Sequence, residues 1–208
     1  MIYSLFYEFS LIIIKFFSLF IPRVKRFLNI RNRILDDIKN FNKPENDFVI
    51  WIHCASLGEF EQIKPLLRKI KSSKSITEFV ITFFSESGFS SAKKFPDAKI
   101  ITYLPLDREK ELNYFINKIK PKILLLVKNE FWPNLIKCVH KADIKIFSIS
   151  STFRKSQVFF SLFSFGMVSI LRKINYFFVV NENDKLLLKT LNISSVQVTG
   201  DTRFDRVL

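Results

Sequence analysis

Short apolar runs alternate with stretches of helical periodicity over most of the chain. Seven runs are typical of buried strands, at residues 48–52, 79–83, 100–103, 123–127, 144–149, 177–180 and 196–199. Apolar positions at helical spacing fill several of the gaps, at residues 60–71, 109–120, 133–141 and 184–191. This alternation predicts an α/β fold built from βαβ units, a Rossmann-like parallel sheet with helices on both faces.

The N-terminal residues follow a different pattern. Residues 3–21 are strongly apolar, a length just sufficient for a helix that spans a bilayer. Pro22 ends this stretch, and a basic flank without an acidic residue follows, at Arg23, Lys25, Arg26, Arg31 and Arg33. We therefore predict a membrane-anchor helix with its basic flank over residues 1–33, a linker over residues 34–47 and the Rossmann-like domain over residues 48–208.

Two charges inside the apolar stretch keep its placement open. Glu8 and Lys15 would be costly in the middle of a bilayer. A helix lying in the membrane interface is therefore an alternative to a spanning helix, and a helix in the protein core is a third. In both membrane placements the basic flank favours the cytoplasmic side and attracts anionic headgroups.

Composition narrows the class of protein further. A net charge of +14 suits a polyanionic partner or a solvated lysine-rich surface. The sequence has no recognition-helix, zinc-finger or RNP signature, so we do not predict a nucleic-acid partner. The two cysteines, Cys54 and Cys138, are too few for a disulfide framework and lack the spacing of zinc ligands, so we predict no metal site.

The string His-Cys-Ala-Ser-Leu-Gly-Glu at residues 53–59 joins a predicted strand to a predicted helix. Open α/β sheets bind ligands at such turns. Glu59 could accept a proton from an attacking hydroxyl there, Gly58 would let a substrate approach the backbone, and the helix amides would favour an anionic group. Ser56 and Glu59 also have the spacing of a capping box, so a purely structural role stays open.

Two further turns follow predicted strands. Ser87 and Gly88 could hold a phosphate or a sugar, although a plain helix cap is the simpler explanation of the string Ser-Glu-Ser-Gly at residues 85–88. Asp107 is predicted to cap the helix that begins near residue 109. Neither turn carries a GxGxxG or Walker A motif, which disfavours ordinary dinucleotide and P-loop nucleotide binding.

The string Lys-Asn-Glu-Phe-Trp-Pro-Asn occupies residues 128–134, after another predicted strand. Pro133 suits the first turn of a helix. Trp132 could stack on a sugar or an acyl group, or pack beneath that helix. Lys128 and Glu130 could form a structural ion pair or a pair of site residues, and the sequence does not decide between these roles.

Four segments in this order resemble the 3-deoxy-D-manno-octulosonic acid (Kdo) transferases, at residues 53–59, 103–107, 130–134 and 198–205. The N-terminal apolar segment is similar too, so the resemblance covers essentially the whole chain. It implies the N-terminal, acceptor-binding half of a GT-B glycosyltransferase. It also implies transfer of Kdo from CMP-Kdo to a hydroxyl of the lipid A precursor, in lipopolysaccharide biosynthesis. The expected location is the cytoplasmic face of the inner membrane of a Gram-negative bacterium.

The resemblance also implies roles for particular residues. Glu59 corresponds to the general base of an inverting, single-step displacement that needs no cofactor besides the donor CMP-Kdo. Arg203 corresponds to a basic residue that stabilises developing charge. We assign catalytic roles to Glu59, Glu130 and Arg203. We assign substrate binding to Ser56, Gly58, Ser87, Gly88, Lys128, Trp132, Asn134 and Arg154.

The sequence departs from the family pattern in two respects. Lys128 stands where many members carry a glutamate that is thought to assist catalysis. The chain ends at Leu208, near the start of the family's interdomain connection, so we expect the sugar-nucleotide domain to be absent and this chain alone to be inactive. The alternative function is a non-catalytic, membrane-tethered module that binds the lipid A precursor.

Residues 158–171 are too apolar all round for an ordinary surface helix. We predict that this stretch packs beside the acceptor groove or enters the membrane surface. A helix buried in the core is the alternative.

Overall fold

The computed structural model describes residues 2–39, 41, 48–73, 77–160 and 165–201. Within them, seven parallel strands form one sheet: β1 (Phe48–Cys54), β2 (Thr77–Phe83), β3 (Ala98–Tyr103), β4 (Ile123–Val127), β5 (Lys145–Ser151), β6 (Tyr176–Val179) and β7 (Val196–Val198). The strand order is β3-β2-β1-β4-β5-β6-β7. Each of the seven strands predicted from the sequence is present, with its ends within two residues of the prediction.

Eight α-helices flank or precede the sheet within the described residues: α1 (Ile2–Phe17), α2 (Pro22–Asp37), α3 (Leu57–Ser73), α4 (Glu86–Ala92), α5 (Glu109–Ile119), α6 (Pro133–Lys141), α7 (Phe165–Leu171) and α8 (Glu182–Thr190). Buried side chains of α3 and α4 pack on one face of the sheet. Those of α2, α5, α6, α7 and α8 pack on the other face. The strands are apolar almost throughout because both faces are covered.

The order in which the chain adds strands to the sheet reverses between β1 and β4. The chain winds outward from β1 through β2 to β3, then returns to place β4 on the other side of β1. The helices change face at the same point, since α3 and α4 lie on one side and α5 and α6 on the other. The carboxyl ends of β1 and β4 therefore flank the crevice in which open α/β sheets bind ligands.

The predicted division between residues 1–33 and a linker does not match the structure. Residues 2–37 form two helices rather than one, and α2 continues to Asp37, into the predicted linker. Ile34 and Ile38 are fully buried in the same core as α5, so α2 is part of the α/β domain. Residues 40 and 42–47 of the predicted linker lie outside the described residues.

Helix α1 turns one face towards the domain and leaves the other exposed. Leu11 is buried, and the hydroxyl of Tyr3 donates to Asp107 at 2.9 Å. Glu8 forms an ion pair with Arg108 at 2.7 Å, which satisfies the acidic charge within the apolar stretch. Exposed large apolar side chains cover the rest of α1 and the turn after it: Leu5, Phe6, Phe9, Ile12, Ile13, Phe16, Phe17, Leu19, Phe20 and Ile21.

The sequence predicts a membrane-anchor helix at the N-terminus, for which a bilayer-spanning placement is one of three alternatives. Over the described residues, we found no helix that combines the length and the apolar character needed to cross a membrane.

Residues 158–171 do not form one continuous helix in their described parts. Val158–Phe160 form a short 3-10 helix, α7 covers Phe165–Leu171, and residues 161–164 lie outside the described residues. Ile170 and Leu171 are buried in the core, so the core interpretation holds for the end of this stretch.

Candidate active site at the carboxyl edge of the sheet

The turns that follow β1 and β4 lie next to each other, at the point where the strand order reverses. The first turn leads into α3 and carries Glu59, and the second leads into α6 and carries Lys128 and Glu130. Because β1 and β4 are paired neighbours, with His53 opposite Leu126, the two turns lie side by side. The structure thus brings together three of the residues that the sequence singled out.

Glu59 lies in the first turn of α3 and is only 9% exposed. Its Oε2 accepts a hydrogen bond from the backbone N–H of Ala55 at 2.5 Å. Its Oε1 has no hydrogen-bond partner among the described residues. One carboxylate oxygen is therefore held in place while the other is available to a bound hydroxyl group.

Burial raises the pKa of Glu59 above its ordinary value, and the nearby charge of Glu130 raises it further. The hydrogen bond from Ala55 and the charges of Lys128 and His53 act in the opposite direction but do not cancel the shift. A carboxylate with a raised pKa is a stronger base than an exposed one, as general-base catalysis requires.

The predicted capping box is not formed in the expected way. In a capping box Glu59 would accept from the N–H of Ser56, but it accepts from Ala55, one residue earlier. The hydroxyl of Ser56 makes no hydrogen bond within the described part of the chain. Gly58 is exposed, and a side chain added there would meet only Ser56 Oγ, at 3.9 Å. The space around Gly58 is therefore open, and packing does not explain why this residue is a glycine.

Glu130 is paired with a buried histidine that the sequence analysis did not single out. His53 is fully buried, and its Nδ1 lies 3.1 Å from the carbonyl oxygen of Thr82. A carbonyl oxygen only accepts, so Nδ1 carries a hydrogen and Nε2 faces Glu130 Oε2, at 3.6 Å. This distance exceeds a regular hydrogen bond, and Nε2 has no other partner within the described residues.

Trp132 donates from its indole Nε1 to Oε2 of Glu130 at 3.0 Å. Burial alone would raise the pKa of Glu130, but His53 and this indole N–H outweigh it and lower the pKa. Glu59 and Glu130 therefore have pKa values shifted in opposite directions, which suits two carboxylates with different roles. The ring of Trp132 stacks on Phe84, with ring centroids 5.4 Å apart. Its predicted stacking on a sugar or an acyl group stays a prediction.

The backbone of Lys128 is fixed in an unusual conformation. Its φ is +60°, in the left-handed region that residues other than glycine seldom adopt. Its N–H donates to the carbonyl oxygen of Ile149 at 2.8 Å, and its own carbonyl accepts from the hydroxyls of Ser148 and Ser151. The ammonium group forms no ion pair within the described residues, so the charge of Lys128 remains available to the crevice.

Asn134 and Asp107 have structural roles that differ from the predicted ones. Asp107 does not cap α5, whose N-cap residue is Arg108. Its carboxylate instead accepts from the backbone N–H groups of Asn134 and Leu135 at 3.1 and 2.8 Å, and so caps α6. The side chain of Asn134 is 2% exposed and bonds to the Asp107 carbonyl and to Ser4, which leaves it no access to a substrate.

The turn at residues 85–88 is a helix cap. Ser85 Oγ accepts from the N–H of Gly88 at 3.2 Å, as the structural alternative predicted. Gly88 is buried, and a side chain added there would collide with the ring of Phe83 at 2.5 Å. Packing therefore accounts for Gly88, whereas Ser87 is exposed.

The remaining predicted site residues lie farther along the chain. Arg154 is exposed in the loop after β5, at the same edge of the sheet, and its substrate-binding role stays a prediction. Arg203 lies outside the described residues. Cys54 is fully buried beside Glu59, and burial raises the pKa of its thiol well above the ordinary value, so the thiol stays protonated.

Solved structures with a similar fold include complexes with UDP and with UDP-GlcNAc. The UDP complex of S. aureus MnaA matches with a TM-score of 0.59 at 15% identity, over 77% of this chain and 47% of that one. The UDP-GlcNAc 2-epimerase from Neisseria meningitidis, bound to UDP-GlcNAc, matches with a TM-score of 0.58 at 14% identity, over 76% of this chain and 47% of that one. At such low identity these similarities establish the fold alone.

Sequence relatives are more specific. A Fusobacterium nucleatum protein described as a bifunctional glycosyltransferase/methyltransferase is 33% identical over 88% of this chain, and the match spans 28% of that protein. The 3-deoxy-D-manno-octulosonic acid transferase of Haemophilus influenzae is 36% identical over 42% of this chain and 21% of its own length. The chain thus corresponds to less than a third of either relative.

A family model described as 3-deoxy-D-manno-octulosonic-acid transferase (kdotransferase) matches residues 26–206. This range includes every strand of the sheet and both turns of the candidate site. The chain therefore belongs to the 3-deoxy-D-manno-octulosonic acid transferase family, of which it carries the N-terminal region.

Proposed function

We propose that this protein acts in the transfer of Kdo from CMP-Kdo to a hydroxyl group of the lipid A precursor, with inversion at the anomeric carbon. The observation that carries the proposal is the buried carboxylate of Glu59, which lies where the strand order reverses and whose Oε1 has no hydrogen-bond partner among the described residues. Family membership supports the choice of reaction.

In the proposed reaction, Glu59 acts as general base. Its Oε1 accepts the proton of the acceptor hydroxyl as the hydroxyl oxygen forms a bond to the anomeric carbon of Kdo. The bond from that carbon to the phosphate oxygen of CMP breaks in the same step, and CMP leaves with the bonding electrons. Attack and departure on opposite sides of the carbon invert its configuration.

Two neighbours prepare Glu59 for this role. The hydrogen bond from Ala55 fixes the carboxylate, so that little orientational freedom is lost when the acceptor binds. Lys128 places a positive charge near the base, where it keeps Glu59 ionised and can stabilise negative charge on the leaving phosphate. The same electrostatic role is proposed for Arg203.

The proposal divides the substrates between two domains. The crevice at the carboxyl edge of this sheet would hold the acceptor, with Ser56, Gly58 and Trp132 along its wall. CMP-Kdo would bind to a second Rossmann-like domain, which the GT-B architecture implied by the family resemblance includes.

The exposed face of α1 supports a membrane location for this reaction. Phe6 and Phe9 are 70% and 60% exposed, among a larger group of exposed apolar side chains. Basic side chains of α2 lie directly after this group in the chain, at Arg23, Lys25 and Arg26. We propose that α1 lies on the anionic cytoplasmic surface of the inner membrane, where the lipid acceptor is found.

Mass spectrometry of the acceptor tests the proposed function. The native protein is incubated with the lipid A precursor and either CMP-Kdo or UDP-N-acetylglucosamine. We expect the mass of one or more Kdo residues to be added from CMP-Kdo alone, and NMR of the product to show an inverted anomeric linkage. Transfer from UDP-N-acetylglucosamine alone would contradict the proposal. Acceptor binding without transfer from either donor would favour a non-catalytic binding module.

A further inference from the structure

Two cavities border helix α2, one against α1 and one against the turn between β2 and α4, and Glu59 lines neither of them. One has a volume of about 290 Å³ and is lined by three arginines, three aromatic rings and two other residues: Arg23, Arg26, Arg31, Phe27, Phe84, Tyr103, Ile30 and Glu86. The other is an open groove of about 600 Å³, lined by Ile14, Phe17, Ile21, Val24, Phe27 and Arg23. Arg23 and Phe27 line both cavities, so the two cavities are neighbours that share these two side chains as a wall.

The first cavity, called the arginine cavity below, carries a surplus of positive charge. Its only carboxylate is Glu86, which pairs with Arg26, so Arg23 and Arg31 have no acidic partner among the described residues. Arg23 and Arg31 lie eight residues apart on α2, with Phe27 midway, and this spacing of four places all three on one face of the helix.

Arg31 is an unusual residue for the wall of a cavity. It is 3% exposed, yet its guanidinium donates to one protein acceptor in the described residues, the carbonyl oxygen of Phe84 at 2.7 Å. The group lies 3.5 Å from the ring centroid of Phe27 and 4.7 Å from that of Phe84. A guanidinium has five N–H donors, and a buried cation without an anion is costly. Burial accordingly lowers the pKa of Arg31 to about 10.

The second cavity, called the apolar groove below, is lined almost entirely by apolar side chains. Arg23 is its only polar lining residue, and the other five are aliphatic or aromatic. Such a groove suits a hydrocarbon chain, and the shared Arg23 marks the point where an anionic headgroup would leave it. Phe17 and Ile21 are 48% and 42% exposed, so this part of the groove is open to a ligand.

A short chain of contacts connects this site to the candidate active site. Arg31 bonds to the backbone of Phe84, and the ring of Phe84 stacks on Trp132. Trp132 in turn donates to Glu130. A ligand headgroup in the arginine cavity would therefore be separated from the candidate carboxylates by two aromatic rings.

We infer that the pair of helices α1 and α2 binds one molecule of a phosphorylated, acylated lipid. A phosphate monoester would occupy the arginine cavity, between Arg23 and Arg31, and an acyl chain would lie along the apolar groove. Charge complementarity, and the position of Arg23 and Phe27 between the basic cavity and the apolar one, determine this choice of ligand. The inference deepens the proposed function, on which the identification of this lipid with the phosphorylated acceptor rests.

Calorimetric titration of the full chain with dodecyl phosphate, below its critical micelle concentration, tests the inference. We expect Arg23→Gln to weaken binding about tenfold, because a charge-assisted contact is lost. The matched control is Lys25→Gln, which makes the same change of charge on the same helix but lies outside both cavities. Arg23 and Lys25 are both exposed, so neither substitution is expected to affect folding.

The apolar groove is tested with Phe17→Ser, for which we expect binding of dodecyl phosphate to weaken about tenfold. Leu186→Ser, at an exposed apolar position on α8, should leave binding unchanged. Equal weakening by Arg23→Gln and Lys25→Gln would reduce the effect to general charge and overturn the inference. Inorganic phosphate or dodecyl maltoside binding as tightly as dodecyl phosphate would overturn it too.

The two proposals can fail separately. Tight binding of dodecyl phosphate without any transfer of Kdo would overturn the proposed function and leave the lipid site in place. Kdo transfer that is unaffected by Arg23→Gln and Phe17→Ser, with no specific binding of dodecyl phosphate, would overturn the lipid site alone.

Discussion

Glu59 lies among charged neighbours that act on its pKa in opposite directions. Lys128 and His53 favour the ionised carboxylate, whereas burial and Glu130 favour the protonated form. The balance raises the pKa above that of an exposed glutamate. As a general base, Glu59 works only when ionised, so transfer should decline as the pH falls through this raised pKa.

Substitution of the two charged neighbours should move the acidic limb of the pH profile in opposite directions. Lys128→Gln removes a positive charge that lowers the pKa of Glu59, so the acidic limb of kcat/KM should move to higher pH. Glu130→Gln removes a negative charge that raises this pKa, so the limb should move to lower pH. The measurement is kcat/KM for Kdo transfer as a function of pH in the native protein.

Lys110→Gln is the control for these two variants, because Lys110 is exposed on α5 and makes no ion pair among the described residues. An acidic limb that stays in place in both Lys128→Gln and Glu130→Gln would mean that Glu59 is not the group that titrates. It would also leave Lys128 without an electrostatic role.

The sequence predicted some site residues well and others poorly, for a physical reason. Glu59, Lys128 and Glu130 follow buried strands directly, and strand ends in a parallel sheet share one edge, so their proximity could be predicted. The pairing of His53 with Glu130 depends on which strands are neighbours, and alternation of elements does not specify the strand order. His53 also lies within a strand, where a buried polar residue is easily taken for part of the core.

The residue that caps a helix also depends on which elements are neighbours in the fold, so the position of a residue in the chain does not identify it. Asp107 precedes α5 in the chain, and its position predicts a cap for that helix. In the structure α5 and α6 lie on the same face of the sheet, and the carboxylate of Asp107 reaches the N–H groups of Asn134 and Leu135 at the start of α6 instead. Pro133 and Trp132 supply no side-chain cap of their own, so Asp107 satisfies donors that would otherwise be unpaired.

Loss of this remote cap should destabilise the domain. We expect Asp107→Ala to lower the free energy of unfolding by about 2 kcal/mol, because α6 loses its cap and buried N–H groups lose their acceptor. Urea unfolding followed by circular dichroism measures the change. Asp36→Ala, at an exposed position on α2 whose side chain makes no hydrogen bond or ion pair among the described residues, should change the stability by less than about 0.5 kcal/mol. Equal stability of both variants would show that Asp107 is not a cap.

The exposed face of α1 should bind membranes without contributing to the core. Phe6 and Phe9 are mostly exposed, so replacement of both by serine should leave the unfolding transition unchanged. Binding to vesicles that contain anionic phospholipid should weaken by about tenfold or more, because two aromatic rings no longer enter the bilayer. Vesicle co-sedimentation measures the binding.

Leu186→Ser is the matched control for the vesicle experiment, since Leu186 is 58% exposed on α8, far along the chain from α1. Unchanged vesicle binding by the Phe6 and Phe9 variant would contradict the membrane role of α1. The sequence had identified the apolar stretch, but it could not show that Tyr3 and Glu8 turn one side of this helix towards the domain.

The chain as a unit combines three features at one edge of a parallel sheet. The candidate base lies where the strand order reverses, α1 lies against the loop that carries Asp107, and Phe84 forms part of the wall of the arginine cavity. The fold class and the order of the strands along the chain were predictable from the hydrophobic pattern, because the central strands β1, β2 and β4 are buried on both faces and are therefore apolar almost throughout. The arrangement of the three features was not predictable, since it depends on contacts between residues 100 or more positions apart in the chain.

A comparison of two glutamine variants of α3 tests the account most sharply. Glu59→Gln in the native protein should reduce kcat for Kdo transfer at least about 100-fold, because no base then accepts the proton of the acceptor hydroxyl. Glu61→Gln, two residues along, should keep the wild-type rate, since Glu61 pairs with Lys64 outside the site. A Glu59→Gln variant that folds and transfers Kdo at the wild-type rate would contradict the account.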